Sequence, residues 1–306
     1  MPEGPEVRTI VYELNEAIKD KQIDKIVFSN TDQKISSPIT NTELATKLKA
    51  KIVKKVNRIG KYIDIELDDQ THLVLHLLIT GRLSFYNKDN NEIPKYFKAS
   101  INFTDGTRLC LGDKRGWTKL KIMTTDEIEN YNNFTDLGID VFSPEYTIEN
   151  FSKALNAKKP IYLVLMDQKI ISGLGNIYVN EILFQAKVHP QKQAHTLDKE
   201  QVEDLYKIVK QIMEKAFAEK GTTVKSFLDR TPSSVGWHTL DGSEGGYYKY
   251  LKIFDKNGQE CTICKSSIQK LQLGGRNAFY CPSCQPITFD KGEGQQSLSS
   301  QQQLCF

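Results

Sequence analysis

The chain has 306 residues, of which 39% are hydrophobic and 26% charged, and its formal net charge is +3. That length predicts two or three domains with a real core, and the mild basic balance permits a nucleic-acid partner without requiring one. No apolar run reaches the ~18 residues of a membrane span, and the start is acidic and polar where a signal peptide would be basic and then apolar, so an intracellular (cytoplasmic or nucleoid) protein with no membrane partner is expected.

From Gly4 to Asp20 the apolar residues Val7, Ile10, Val11, Leu14 and Ile18 fall on one helical face, with Pro5 and Glu6 suited to its first turn. The period then changes. KYIDIEL (61–67) alternates Ile63, Ile65 and Leu67 against Asp64 and Glu66, as a half-buried strand does. INFTDGTRLCL (101–111) predicts a hairpin turning at Asp105-Gly106, and strand-like pieces at 22–28, 51–59, 72–78 and 117–123 complete a β-rich first domain. Beyond about residue 134 the pattern is helical, in TIENFSKALNA, PIYLVLMDQ, GNIYVNEILFQA and the long segment 198–220. GTTVKSF (221–227) predicts a further short helix, 230–247 a Gly/Ser-rich loop, and the Gln/Ser-rich tail from 286 onward disorder.

Cys261, Cys264, Cys281 and Cys284 form C-x2-C-x16-C-x2-C. Each CxxC can hold one side of a tetrahedral ion, so the quartet predicts one structural Zn²⁺ with its coordination closed by four thiolates. Cys110 and Cys305 stand apart, which is not a disulfide framework. The segment between the CxxC pairs holds Gly274-Gly275-Arg276, either a guanidinium and turn amides offered to a phosphate or a solvated arginine.

Three further stretches carry a functional and a plain reading. Ser172-Gly173-Leu174-Gly175 leads into a helix starting near Gly175 and Asn176, either an anion site at a helix N-terminus or an ordinary helical hairpin. In DKRGW (113–117), Trp117 beside Arg115 either lies against bases or belongs to the core. MPEGPE is either a helix start or a reagent. Removal of Met1 before Pro2 exposes a secondary amine with an ordinary α-amino pKa of ~8, partly unprotonated at neutral pH. Its adduct with a sugar aldehyde carbon is an iminium that stays cationic and can drive elimination of a neighbouring phosphate, with Glu3 and Glu6 at hand as proton donor and support.

MPEGPEV, RIGKY (58–62), SGLGNIYVNE (172–181), GTTVKSF and the GGR-bearing zinc hairpin occur in that order. Together they resemble the formamidopyrimidine-DNA glycosylase/endonuclease VIII family of base-excision repair enzymes over about 1–285. The resemblance implies an α+β multi-domain fold: an N-terminal helix plus two-sheet β-sandwich (1–133), a helix–two-turn–helix domain (134–258), a C-terminal zinc-finger β-hairpin (259–285) and a tail (286–306). It also implies a monomer acting on double-stranded DNA that contains oxidised bases or abasic sites. By the same resemblance Pro2 is the Schiff-base nucleophile, Glu3 the acid and Glu6 its support. Lys61, Asn176 beside Gly175, and Arg276 hold the phosphates flanking a flipped nucleotide.

HLLITGRL, DKRGWTKL, GTTVKSF and LGGRNAFYCPSCQ look more like the formamidopyrimidine branch, whereas the MPEGPEV start looks more like endonuclease VIII. In the formamidopyrimidine branch a methionine, an arginine and a phenylalanine fill the gap left by the extruded base. The matching positions are Ile79, Arg115 and Trp117, so two of three are replaced, and Lys114 stands where proline is usual. The leading expectation is a bifunctional glycosylase/AP lyase for 8-oxoguanine and formamidopyrimidines, cleaving by β,δ-elimination. The alternatives are an endonuclease VIII-type preference for oxidised pyrimidines, a non-catalytic damaged-DNA-binding protein, and a zinc-ribbon transcription or RNA-binding protein.

Overall fold

The computed structural model describes residues 2–29, 35–36, 38–90, 92–224 and 237–287. The chain forms two compact units, one of Met1–Ser143, Gln168–Gly175 and Lys210–Leu251, the other of Pro144–Asp167, Asn176–Val209 and Lys252–Phe306.

The first unit opens with helix α1 (Gly4–Ile18), which has Pro5 in its first turn and buries Val7, Ile10, Leu14 and Ile18 as their spacing requires. Eight strands follow: β1 (Ile23–Phe28), β2 (Val53–Ile59), β3 (Tyr62–Leu67), β4 (Thr71–His76), β5 (Gly81–Tyr86), β6 (Phe97–Phe103), β7 (Arg108–Asp113) and β8 (Lys119–Thr124). They make two antiparallel sheets, ordered β1-β6-β7-β5 and β2-β3-β4-β8. Ile63, Ile65 and Leu67 of β3 face inward at the predicted period of two, against Leu83, Leu109 and Leu111 of the other sheet and the apolar face of α1. Each such fully buried aliphatic side chain contributes about 1.5–3 kcal/mol, and this common core makes the sandwich. The predicted hairpin forms between β6 and β7, with Gly106 at φ +86 in the turn.

Some elements escape the pattern reading. Helix α2 (Asn41–Leu48) lies between β1 and β2, started by a capping box in which the Glu43 N–H donates to Thr40 Oγ1 at 3.2 Å and the Thr40 N–H donates to Glu43 at 2.7 Å. Strand β5 was not anticipated, nor were the short helices α3 (Thr125–Glu129) and α4 (Asn132–Thr135). The strand expected over 72–78 ends at His76, because Leu78 takes φ +50 and breaks the extended chain. The first unit also contains a two-residue parallel pair, β9 (Ile139–Asp140) beside β10 (Ile171–Ser172).

The second unit carries α5 (Ile148–Leu155), α6 (Ile161–Met166) and α7 (Asn176–Gln185). Helix α7 is buried on every side from Ile177 to Phe184, so it is a central rather than an amphipathic helix. Its Glu181 accepts the N–H groups of Lys252, Ile253 and Phe254 at 2.8, 2.9 and 2.9 Å, fixing the chain that enters the cysteine module. There β11 (Gln269–Leu273) and β12 (Arg276–Tyr280) pair as the expected hairpin over a small core of Phe184, Ile253, Ile268 and Phe279. The fourth predicted helix is α8 (Lys199–Ala218).

Residues 221–224 are not helical, with Thr222 bridged to Gly246; the rest of the helix expected at GTTVKSF beyond Val224, and the tail from 288 onward, lie outside the described residues. Among the described residues no helix is long and apolar enough to cross a membrane.

Candidate active site

Four of the residues singled out from the sequence gather in the first unit around the turn Gly173-Leu174-Gly175. Glu3, the N-cap of α1, is 2% exposed and Glu6 is 1% exposed, which is rare for carboxylates unless both are engaged. Glu6 Oε2 accepts the Glu3 N–H at 2.8 Å, and Oε1 accepts the Thr222 N–H at 2.7 Å. Glu6 thereby ties the start of the chain to a loop more than 200 residues away. Pro2, also buried, stands immediately before this anchored pair.

Two glycines make room for the carboxylates. A Cβ at Gly175 would collide with the carboxyl carbon of Glu3, and one at Gly221 would lie 2.8 Å from Glu6 Oε1, at a backbone φ of +80 that itself suits glycine. Gly4 is explained in the same way. Its N–H donates to Gly173 O at 2.8 Å, and a Cβ there would meet that oxygen at 2.9 Å.

Lys61 reaches the same turn from the sandwich. Gly60, at φ +59, closes the tight β2–β3 connection, and Lys61 Nζ donates to Leu174 O at 2.5 Å from a largely buried position. Two braces absent from the sequence reading hold the pieces. Arg58 makes a bidentate pair with Asp140, at 2.7 and 2.6 Å, and donates to Gly60 O at 2.8 Å, fixing the turn that carries Lys61. Gln168 donates to Leu174 O at 2.8 Å and accepts the Gly173 N–H at 3.2 Å, clasping the glycine turn from within.

His76 was also missed. At the end of β4 it lies against Tyr62, with ring centroids 4.1 Å apart and the planes tilted by 33°, and burial, then the Lys61 charge, lower its pKa to about 4. At neutral pH it is an uncharged imidazole beside a cation.

The second group, Ile79, Arg115 and Trp117, lies at one end of the sandwich. Ile79 is 41% exposed and Trp117 45% exposed, so Trp117 is no core residue. The Arg115 guanidinium sits 4.8 Å from the Trp117 ring centre. Behind them Asp113, only 1% exposed, gathers the loop: its carboxylate accepts from the N–H groups of Arg115, Trp117 and Thr118 at 3.1, 2.7 and 2.8 Å and from the hydroxyls of Thr80 and Thr118. Burial alone would push the Asp113 carboxyl up, but donation from Thr80, Thr118 and Arg115 holds it below the usual range. An aspartate at a strand end signals only a turn, which is why the sequence did not mark it.

Asn176, Arg276 and the cysteines belong to the second unit. Asn176 is the first residue of α7 and partly exposed; Arg276 opens β12 after Gly274 and Gly275, at φ +56 and +73, and is exposed. The Sγ atoms of Cys261, Cys264, Cys281 and Cys284 all lie within 4.8 Å of one another, with Cys261–Cys284 at 3.8 Å and Cys264–Cys281 at 3.3 Å. Four sulfurs each ~2.3 Å from one tetrahedral zinc would be ~3.8 Å apart, so the donor set fits a closed, structural Zn²⁺ site.

Comparison with known proteins agrees along the chain. Residues 1–120 match the family described as formamidopyrimidine-DNA glycosylase N-terminal domain, 137–228 the formamidopyrimidine-DNA glycosylase H2TH domain, and 258–287 the zinc finger found in FPG and IleRS. The chain is 32% identical over 288 residues to the formamidopyrimidine-DNA glycosylase of Lactobacillus johnsonii, covering 94% of this chain and 99% of that protein. It is 34% identical over 292 residues to that of Rickettsia africae, covering 93% and 99%. Among solved structures it resembles Lactococcus lactis Fpg in complex with abasic-site DNA, with a TM-score of 0.81 and 27% identity over 93% of this chain and 100% of that one. Wild-type Lactococcus lactis Fpg with DNA containing N7-benzyl-Fapy-dG matches with a TM-score of 0.81 and 28% identity over 94% and 100%.

Proposed function

The chain belongs to the formamidopyrimidine-DNA glycosylase family, and from that premise we propose how its residues divide the work. It is a DNA glycosylase of base-excision repair with DNA as its partner and a structural zinc ion.

Pro2, freed of Met1, is the nucleophile. Its amine attacks C1′ of a flipped, damaged nucleotide, the bond from C1′ to the base breaks, and the base leaves with that electron pair and a proton. Glu3 supplies a proton to the sugar ring oxygen, opening the ring to the iminium. Loss of a C2′ proton then expels the 3′ phosphate, and a second elimination expels the 5′ phosphate. Glu6 positions the N-terminal segment. Lys61, Asn176 beside Gly175, and Arg276 hold the flanking phosphates, while Ile79, Arg115 and Trp117 occupy the gap left in the duplex.

In this scheme residues 1–133 carry the chemistry, 134–258 and 259–285 grip the backbone, and 286–306 form a tail. The enzyme acts as a monomer in the cytoplasm, on the nucleoid. One observation carries the reading: Glu3 is buried directly behind Pro2, its own amide held by Glu6 and its carboxyl seated on Gly175. A binding protein has no use for so costly a burial of acid beside its terminus.

Oxidised purines (8-oxoguanine and formamidopyrimidines) are the favoured lesions. A preference for oxidised pyrimidines is the second reading, favoured only by the replaced pair Ile79 and Trp117, since Gly4 is accounted for by its contact with Gly173. Duplexes holding 8-oxoguanine, a formamidopyrimidine, thymine glycol or an abasic site, each incubated with enzyme and borohydride, separate the readings. Covalent trapping strongest with the purine lesions is expected. Thymine glycol in first place would favour the second reading, and no adduct on any duplex would remove the lyase.

A further inference from the structure

The orientation of the Asn176 side chain is settled by a chain of donors that begins at a backbone amide. The Phe279 N–H can only donate, and it meets Asn180 Oδ1 at 2.5 Å. That fixes which end of the Asn180 amide is oxygen, so Nδ2 is the end directed at Asn176, donating to its backbone O at 2.6 Å and to its Oδ1 at 3.0 Å. The Tyr162 hydroxyl, on a fully buried side chain of α6, donates to the same Oδ1 at 2.5 Å. With two donors on Oδ1, the NH₂ group of Asn176 faces the other way, at the first residue of α7.

We propose that Tyr162 and Asn180 are positioning residues for DNA binding: they turn the Asn176 amide so that Nδ2 is presented to a phosphate, and they couple it to the strand that carries Arg276. This rests on the reading of Asn176 and Arg276 as phosphate ligands. The coupling is built into β12. Phe279, which sets Asn180, lies three residues beyond Arg276, and the Tyr162 hydroxyl also lies 3.5 Å from the carbonyl oxygen of Asn277, the residue after it. The hydroxyl thus orients a neutral donor on a helix, and the buried Asn180 amide ties that donor to the hairpin that bears the guanidinium.

Binding of the full-length, zinc-loaded protein to a duplex containing tetrahydrofuran, a stable abasic analogue, tests this. Tyr162→Phe should weaken binding by roughly three- to tenfold, the loss of one orienting hydrogen bond. It should add nothing further in an Asn176→Ala background, and should raise KM while leaving kcat in place. Asn176→Asp keeps acceptors for Tyr162 and Asn180 but turns an oxygen toward the phosphate, so it should bind more weakly than Asn176→Ala. Wild-type binding by Tyr162→Phe, an equal loss in both backgrounds, or an Asp variant that binds no worse than the Ala variant would each overturn the proposal. Zinc content and thermal melting identify a misfolded Tyr162→Phe, in which case the Asp-against-Ala comparison decides alone. If Asn176→Ala binds as the wild type does, the phosphate-ligand reading fails first and this proposal falls with it.

Discussion

Under the proposed division of work, the first unit holds two regions built on opposite plans, one for chemistry and one for the gap in the duplex. Around Pro2 both carboxylates and the lysine are buried and held: Glu6 is spanned by Glu3 and Thr222, Lys61 is seated on Leu174, and glycines are pressed against both carboxylates. At the far loop the working groups, Ile79, Arg115 and Trp117, are exposed, and only the carboxylate behind them is buried. Chemistry requires placement to within a fraction of an ångström, so its groups are fixed from all sides. Filling a gap in a duplex requires an apolar edge that can meet DNA, so its groups are fixed only from the rear.

That contrast breaks most visibly at the glycines. Gly175→Ala places a methyl group into the carboxyl of Glu3. It should cost about 1–3 kcal/mol of stability and slow base excision by about 100-fold or more, while binding to a tetrahydrofuran duplex stays within a few-fold of wild type. Single-turnover excision at saturating enzyme measures it, and near-normal excision would show that Glu3 is not held where its role requires.

The far loop should behave in reverse. Asp113→Ala leaves several backbone donors without their acceptor and should destabilise the protein by about 1–3 kcal/mol. It should weaken lesion binding by about tenfold, yet leave single-turnover excision at saturation within about threefold of wild type. Trp117→Ala should reproduce the binding loss with an unchanged melting temperature. Equal losses in binding and chemistry would erase the distinction between the two regions.

The smallest expected effect separates the regions by pH. His76 has a folded pKa of about 4, below its unfolded value of ~6.5. Its contribution to stability is therefore complete above ~6.5 and declines as the pH falls toward 4. The Asp113 carboxyl is depressed as well, so its contribution is present above the unfolded value of ~3.9 and is lost only as the pH falls through the lower folded value. Acid should loosen the Lys61 side first and the Trp117 loop later. Melting temperatures from pH 7 to pH 3 should show a flatter profile for His76→Gln above pH ~4 and for Asp113→Asn below it.

The sequence was most legible where chemistry demands rare residue patterns. The spacing of Val7, Ile10, Leu14 and Ile18, the alternation in β3 and the paired CxxC motifs led directly to α1, the sandwich and the zinc module. Helix α2 was passed over although Thr40 and Glu43 spell its capping box, because eight residues hold too few apolar positions to show a period. Asp113, Gln168, Arg58 and His76 stayed hidden for another reason. Arg58 and His76 act through residues distant in sequence, Asp140 and Tyr62, while Asp113 and Gln168 gather nearby backbone amides and carbonyls that no residue pattern marks. Gly175 was visible as a turn glycine and Gly221 only as the start of an expected helix, and the purpose of both appears once the carboxylates lie against them.

The central claim is that the catalyst is the nitrogen of Pro2, and the most direct measurement is the site of the covalent bond. Enzyme trapped by borohydride on an abasic duplex, digested and mapped by mass spectrometry, should carry the sugar remnant on the peptide beginning at Pro2, with Met1 gone. Attachment to Lys61 or another lysine, or trapping undiminished when an extension blocks the terminus, would contradict it.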